Sequence, residues 1–335
     1  MKNDIQFRQP GKFTFAINKI LYDRETILKY AKSLSYDLRF FEIKKNPVKY
    51  LPSLNTNAFL IKRMFLGCKR INSEGTKDGI CEWILDNYYL IEEQIKTEKM
   101  ELENLKTCKY PILKNNVFRG YPRTFTLASE FIAHRQGAFD ESLFYEFIEA
   151  FQINEPLSMK EVYALPTMLR AALINYLSQI SSAQLYRFKI KKEANRILKL
   201  FNKNDDNKEF LVEIYKQAFN TILVDGGFLE EFNMLIGEKG EKEKGYKEFL
   251  RCLKRKDINL KKEIEESQAV KTKNQIMLSN IINSIRTISN ISWEGFLEKA
   301  CTVNQILSKD EIYRSMDFES KEYYRKNIEK IAISF

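Results

Sequence analysis

From Ile80 onward apolar side chains recur at three- and four-residue steps, at Ile80, Ile84, Tyr88, Ile91 and Ile95, which is the period of one face of an α-helix. Glu92, Glu93, Lys96 and Glu98 are read as lying away from that stripe, so the segment is an amphipathic helix running to about Leu105. Little interrupts such patterns elsewhere, because 335 residues contain 12 Gly and 7 Pro against 44% apolar side chains, and Gly and Pro are the main punctuators of local structure. No alternating pattern of β type competes over a useful length. The expected fold class is all-α: a multi-helix, orthogonal or bundle-like domain, or two packed helical subdomains at 76–203 and 208–335.

Residues 1–75 mix short apolar runs with Pro10, Pro47 and Pro52, and the polar stretch from Asn72 to Gly79 reads as a loop. A Pro- and Gly-bearing link runs from Tyr110-Pro111 to Gly120-Tyr121-Pro122-Arg123, after which helical periodicity resumes near Thr126. Ser158 and Glu161 have the spacing of a capping box, with Leu157 and Val162 placed as its hydrophobic staple, so a long helix is expected to begin there. Pro166 should kink or divide that helix, since it lacks a backbone donor. Further helices are expected at about 183–202, 208–223, 246–255, 258–289, 293–307 and 319–332. Between them stand Asn204-Asp205-Asp206-Asn207, Asp225-Gly226-Gly227 and a Lys/Glu/Gly stretch at 237–245.

A formal net charge of +10 would suit a nucleic-acid surface, with Lys189, Lys191, Lys192, Arg196 and Lys199, or Arg251 to Lys262, as its contacts. The basic residues are however interspersed with Glu at helical spacing, the pattern of a solvated helix face. Five widely spaced cysteines without a C-x-x-C pair indicate a reduced compartment. The start lacks the apolar core of a signal peptide, and nowhere do the ~18 apolar residues of a membrane span run together. The sole histidine, His134, sits near an expected helix end without partners at metal-ligand or triad spacing. It reads as an imidazole bonded to a carbonyl or to the helix end.

Adjacent carboxylates at Glu92/Glu93, Asp140/Glu141 and Glu230/Glu231 do not share a helix face, so they read as surface acids rather than the two-carboxylate pair of a glycosidase. No P-loop or G-x-G-x-x-G occurs. A sugar-nucleotide transferase is expected to carry Asp-x-Asp, which is absent. Its Gln-x-x-Arg-Trp acceptor motif has a near miss in Gln184-Leu185-Tyr186-Arg187-Phe188. No catalytic residue, cofactor site or metal site is therefore assigned to this chain.

Five longer strings follow one another along the chain. They are Asp86-Asn87-Tyr88-Tyr89-Leu90-Ile91-Glu92-Glu93-Gln94; Gly120-Tyr121-Pro122-Arg123 with Glu130-Phe131-Ile132-Ala133-His134; Leu165-Pro166-Thr167-Met168-Leu169-Arg170-Ala171-Ala172-Leu173; Asn274-Gln275 and Ser284-Ile285-Arg286 leading to Ser292-Trp293; and Met316-Asp317-Phe318-Glu319 with Tyr324-Arg325. Together they resemble the N-terminal, pre-membrane region of cyclic β-1,2-glucan synthetases, over about 80–330 with weak stretches near 204–256. Residues 1–75 have no counterpart. Tyr89 stands where the family usually has His.

The resemblance implies a bacterial inner-membrane enzyme that builds and closes a β-1,2-linked glucan from UDP-glucose with a divalent metal. None of its glycosyltransferase, cyclisation or phosphorylase-like regions is visible here, and the chain stops about where the family's first membrane helices would follow. The expected role is thus a non-catalytic accessory domain, or a fragment, at the cytoplasmic face of the cell membrane. Its expected partner is the membrane-bound glycosyltransferase region of the same or an adjacent polypeptide. Asp86, Asn87, Glu93, Arg123, Glu130, His134, Arg170, Arg286, Asp317 and Arg325 are the candidate interaction or structural residues. Two alternatives stand beside this reading: a stand-alone glucan-binding or carbohydrate-active module using some of the 17 Tyr, 24 Phe and 2 Trp, and the basic nucleic-acid binder.

Overall fold

The computed structural model describes residues 20–73, 78–114, 117–203, 225–237 and 244–334. The helix expected at 208–223 and most of the 237–245 stretch lie outside them. Among the described residues the helices are α1 (Arg24–Asp37), α2 (Leu54–Ser73), α3 (Gly79–Leu105), α4 (Arg123–His134), α5 (Glu141–Gln152), α6 (Met159–Tyr163) and α7 (Leu165–Lys203). They continue with α8 (Gly226–Gly237), α9 (Lys244–Arg255), α10 (Leu260–Asn290), α11 (Trp293–Ala300), α12 (Thr302–Leu307), α13 (Glu311–Ser315) and α14 (Phe318–Ser334). The class is all-α, as the scarcity of breakers requires.

One element departs from the sequence expectation. Phe41–Lys45 (β1) and Lys109–Leu113 (β2) form an antiparallel two-stranded sheet in which Ile43 faces Pro111. The link at Tyr110-Pro111 is therefore a strand. Proline is tolerated because both strands of a two-stranded sheet are edges. Gly120, at φ 87°, turns the chain back so that its N–H donates to the Leu113 carbonyl at 2.8 Å.

The helix boundaries follow local chemistry. The Asp23 carboxylate accepts from the Thr26 N–H at 2.8 Å and starts α1, and Asp140 does the same for α5 through Leu143 at 2.7 Å. At Ser158 the capping box forms: the Glu161 carboxylate accepts the Ser158 N–H at 3.0 Å and its hydroxyl at 2.9 Å. Leu157 and Val162 beside it are both buried. The helix it opens is short, and α7 begins afresh at Leu165 with Pro166 in its first turn, where a missing N–H is harmless. Pro166 thus divides the helix rather than bending it.

Compactness divides the chain into two units that are not contiguous in sequence. Unit one comprises the chain up to Phe59, Asp86–Ser178 and the chain from Met277; unit two comprises Leu60–Leu85 and Gln179–Ile276. In unit two, Ile190, Ala194 and Ile197 of α7 pack with Phe228, Leu229 and Phe232 of α8 and with Tyr246, Phe249 and Leu253 of α9. In unit one, all twelve residues of α4 are buried. Around it stands an aromatic cluster in which Phe131 contacts Phe144 and Phe147 at ring-centroid distances of 5.0 and 5.3 Å, an arrangement of tilted rings that adds to the area term.

The C-terminal end of α4 needs backbone freedom. Gln136 and Gly137 both have positive φ, and the Gly137 N–H donates to the Ile132 carbonyl at 2.9 Å, closing the helix with a left-handed cap. A Cβ at Gly137, where φ is +85°, would stand 2.7 Å from Ile281 Cγ1 and 3.1 Å from the Met277 carbonyl oxygen. Gly137→Ala is expected to lower stability by about 1–3 kcal/mol through backbone strain and overlap. Urea denaturation checks this, and an unchanged midpoint would contradict the cap.

Candidate functional site

Unit one contains the candidate residues, and it engages most of them as cross-links between helices. On α3, Asn87, Gln94, Glu98 and Glu101 follow one another at steps of seven, four and three, one polar line along a helical face. Arg170 on α7 meets this line. Its Nε donates to Gln94 Oε1 at 3.0 Å, Nη1 donates to Glu101, and Glu98 lies 3.6 Å from Nη1. Thr167, one turn earlier on α7, also donates to Glu101 at 2.7 Å. Among the described residues no partner takes the other terminal nitrogen, Nη2, of Arg170.

Glu98 corrects the sequence reading. Placed there off the buried face, it is wholly buried in the structure, and neither of its carboxyl oxygens has a hydrogen-bond partner. Burial pushes its pKa up to about 8, against the opposing pull of Arg170. A periodicity built on Ile80, Ile84, Tyr88, Ile91 and Ile95 misses this, because the polar line runs beside the apolar one. The available signal was the spacing of Asn87, Gln94, Glu98 and Glu101 on one face.

Higher on the same face, Arg286 of α10 donates from Nη2 to Asn87 Oδ1 at 2.7 Å. Arg170 and Arg286 then border an open cleft of about 530 Å³, with Tyr89, Glu93 and Gln94 on its α3 side and Ser289, Asn290, Ile291 and Trp293 at the α10–α11 turn. Tyr89 is 70% exposed. Asp86, three residues before Tyr89, is exposed and belongs to neither the cleft nor the cross-links.

The remaining candidates lie elsewhere in the unit. Arg123, at the start of α4, forms a two-point ion pair with Glu161, Nε and Nη2 each at 2.7 Å from a carboxylate oxygen. It also reaches the Pro156 carbonyl at 3.3 Å and lies over the Phe41 ring at 4.5 Å. Glu130, fully buried on α4, accepts from the Tyr30 hydroxyl and lies 3.8 Å from His134 Nε2. His134 Nδ1 is 2.8 Å from the Ile20 carbonyl oxygen, and its ring stacks on Tyr22 at 3.9 Å. Burial and the Glu130 carboxylate hold the Tyr30 hydroxyl well above its ordinary pKa.

Arg325 on α14 is 1% exposed and donates to Asn304 Oδ1 at 2.8 Å and to the Tyr163 hydroxyl at 3.1 Å. Asp317 caps α14 by accepting from the Ser320 N–H at 2.8 Å, which lowers its pKa. In unit two, the near-miss acceptor string is spent on packing and pairing. Gln184 donates to Asp78 at 3.2 Å, Arg187 pairs with Glu230 at 3.2 Å, and Phe188 lies against Gly67. Several basic residues are likewise paired with acids, including Lys191 with Glu231 and Arg196 with Glu193.

Among the described residues no group of three or more metal-ligating side chains converges, and no helix is long and apolar enough to cross a membrane. Over 260 residues the chain is 26% identical to the cyclic beta-(1,2)-glucan synthase NdvB of Rhizobium meliloti (strain 1021). This chain is similar to part of that protein. The alignment takes in 75% of the chain, which spans about 9% of the relative's length. No family model matches the sequence.

Two outcomes follow from the buried charges. In the fold Glu98 keeps its proton up to about pH 8, whereas an unfolded carboxyl releases it near 4.5. Stability should therefore fall as pH rises from about 4.5 to about 8, by on the order of a few kcal/mol, and level off above. Glu98→Gln should flatten that slope in urea titrations at pH 5 and pH 8.5; an equal slope in both proteins would show that Glu98 titrates normally. Arg123→Ala strands Glu161 without its fork and should cost about 3–5 kcal/mol, read as a lowered thermal midpoint.

Proposed function

We propose that this chain is a non-catalytic helical accessory domain of a cyclic β-1,2-glucan synthesis system, corresponding to the N-terminal, pre-membrane region of the synthetase. It positions or regulates a membrane-bound glycosyltransferase region, in the same or an adjacent polypeptide, at the inner face of the cell membrane. UDP-glucose and the divalent ion belong to that partner. The observation that carries the reading is the similarity to the NdvB synthase over three quarters of the chain.

The geometry is consistent with it. Arg123, Arg170 and Arg325 are each held by partners within unit one, which suits side chains that fix the angles between helices. Rigid helix faces are what a positioning domain presents to its partner.

Purified chain incubated with UDP-glucose and a divalent ion is expected to make no β-1,2-glucan, while deletion of its coding segment in the host is expected to abolish or strongly reduce that glucan. Robust synthesis by the chain alone would overturn the non-catalytic assignment. Unchanged glucan in the deletion strain would remove the link to glucan synthesis.

A further inference from the structure

The cleft between α3, α7 and the α10–α11 turn is more than a gap between cross-linked helices. Its volume of about 530 Å³ falls in the ~300–1,000 Å³ range of small-molecule sites. Two of its polar side chains are built into the fold, Gln94 at 5% and Arg170 at 6% exposure. Arg170 is held at Nε and Nη1 by Gln94 and Glu101, so its guanidinium, which lines the cleft, is a donor group fixed in place. A donor held this way binds without first losing side-chain freedom.

The charges around the cleft decide what kind of ligand it suits. Arg170 and Arg286 supply positive charge, but Glu93 lines the same space, and Glu101 is in direct contact with Arg170. The α10 helix ends at Asn290 with its C-terminus at the cleft, and that end carries partial negative charge. A phosphate or nucleoside diphosphate would face these acceptors. A neutral polyhydroxylated molecule, whose every hydroxyl both donates and accepts, matches donors and acceptors mixed in this way. Tyr89, exposed at the rim, adds an aromatic face on which the C–H face of a sugar ring can lie.

We infer that this cleft binds a short neutral stretch of β-linked glucan, with Tyr89 as the stacking platform, the Arg170 guanidinium as a held donor and Glu93 as an acceptor at the rim. The identification of the sugar as glucan rests on the proposed function; the preference for a neutral saccharide over an anion rests on the cleft. An accessory domain with such a site holds the growing or finished chain beside the transferase instead of only bracing it.

Trp293 lines the cleft, and the protein has only one other tryptophan, Trp83. In the purified full chain carrying Trp83→Phe, Trp293 emission therefore reports on this site. Titration with linear β-1,2-linked gluco-oligosaccharides is expected to give a saturable change. Tyr89→Ala should weaken the affinity at least about tenfold, and the exposed ring of Tyr89 can be removed without touching the core. Tyr323→Ala, equally exposed but outside the cleft, should bind as the parent does.

No saturable change up to the solubility limit of the sugar would overturn the inference, as would equal affinity in the Tyr89→Ala protein. Saturation by inorganic phosphate or UDP-glucose but not by the oligosaccharide would reassign the cleft to an anion and overturn it too. Returning the Tyr89→Ala chain to the deletion strain separates the two proposals. Full glucan production there, with no binding in vitro, defeats the cleft and leaves the accessory role standing.

Discussion

Unit one depends on burying α4, a helix with no face left for water. A buried helix needs partners for the polar side chains it carries, because an unpaired polar group in the interior is costly; on α4 only Ser129 Oγ and Arg123 Nη1 are buried without a hydrogen bond among the described residues. Its polar residues draw in partners from around the unit: Arg123 takes Glu161 of α6, Thr124 takes Tyr110 of β2, Glu130 takes Tyr30 of α1, and His134 takes the Ile20 carbonyl. The Tyr176 hydroxyl of α7 donates to the Ser129 carbonyl at 2.9 Å. Each bond fixes a neighbouring element against α4, so the apolar core and the polar network specify the same arrangement. Losing one partner leaves a stranded group as well as a missing contact, which is why buried pairs are sensitive to removal of either member.

The Arg170 centre is under the same constraint. Gln94 and Glu101 satisfy two of its nitrogens, while Glu98 is close but unbonded. Holding that carboxyl as a neutral acid avoids burying an unpaired charge beside Arg170. The result is a cross-link between α3 and α7 at the edge of an open, polar cleft.

Much of this was legible in the chain. Helices were readable because breakers are few and because caps such as Asp140 and the Ser158–Glu161 pair are local in sequence. The β1–β2 sheet was not, since its strands are five residues long, are separated by two helices, and owe their pairing to tertiary context. The division into units was hidden for another reason: its boundaries fall inside α2, α3, α7 and α10, where no loop composition marks them. For the candidate site, the strings singled out Arg123, Arg170 and Arg286, which the structure engages in contacts between elements. Their partners Gln94, Glu98 and Glu161 were not assigned, because apolar periodicity does not report a buried polar line.

In the proposed role the chain acts through its surfaces and its cleft, on something another protein makes. The most direct measurement is the rate at which washed membranes from a strain lacking this chain convert UDP-glucose to β-1,2-glucan, before and after the purified chain is added back. The account predicts that synthesis returns, saturating with added chain, although the chain alone makes none. A rate indifferent to the added chain, or synthesis by the chain without membranes, would contradict it.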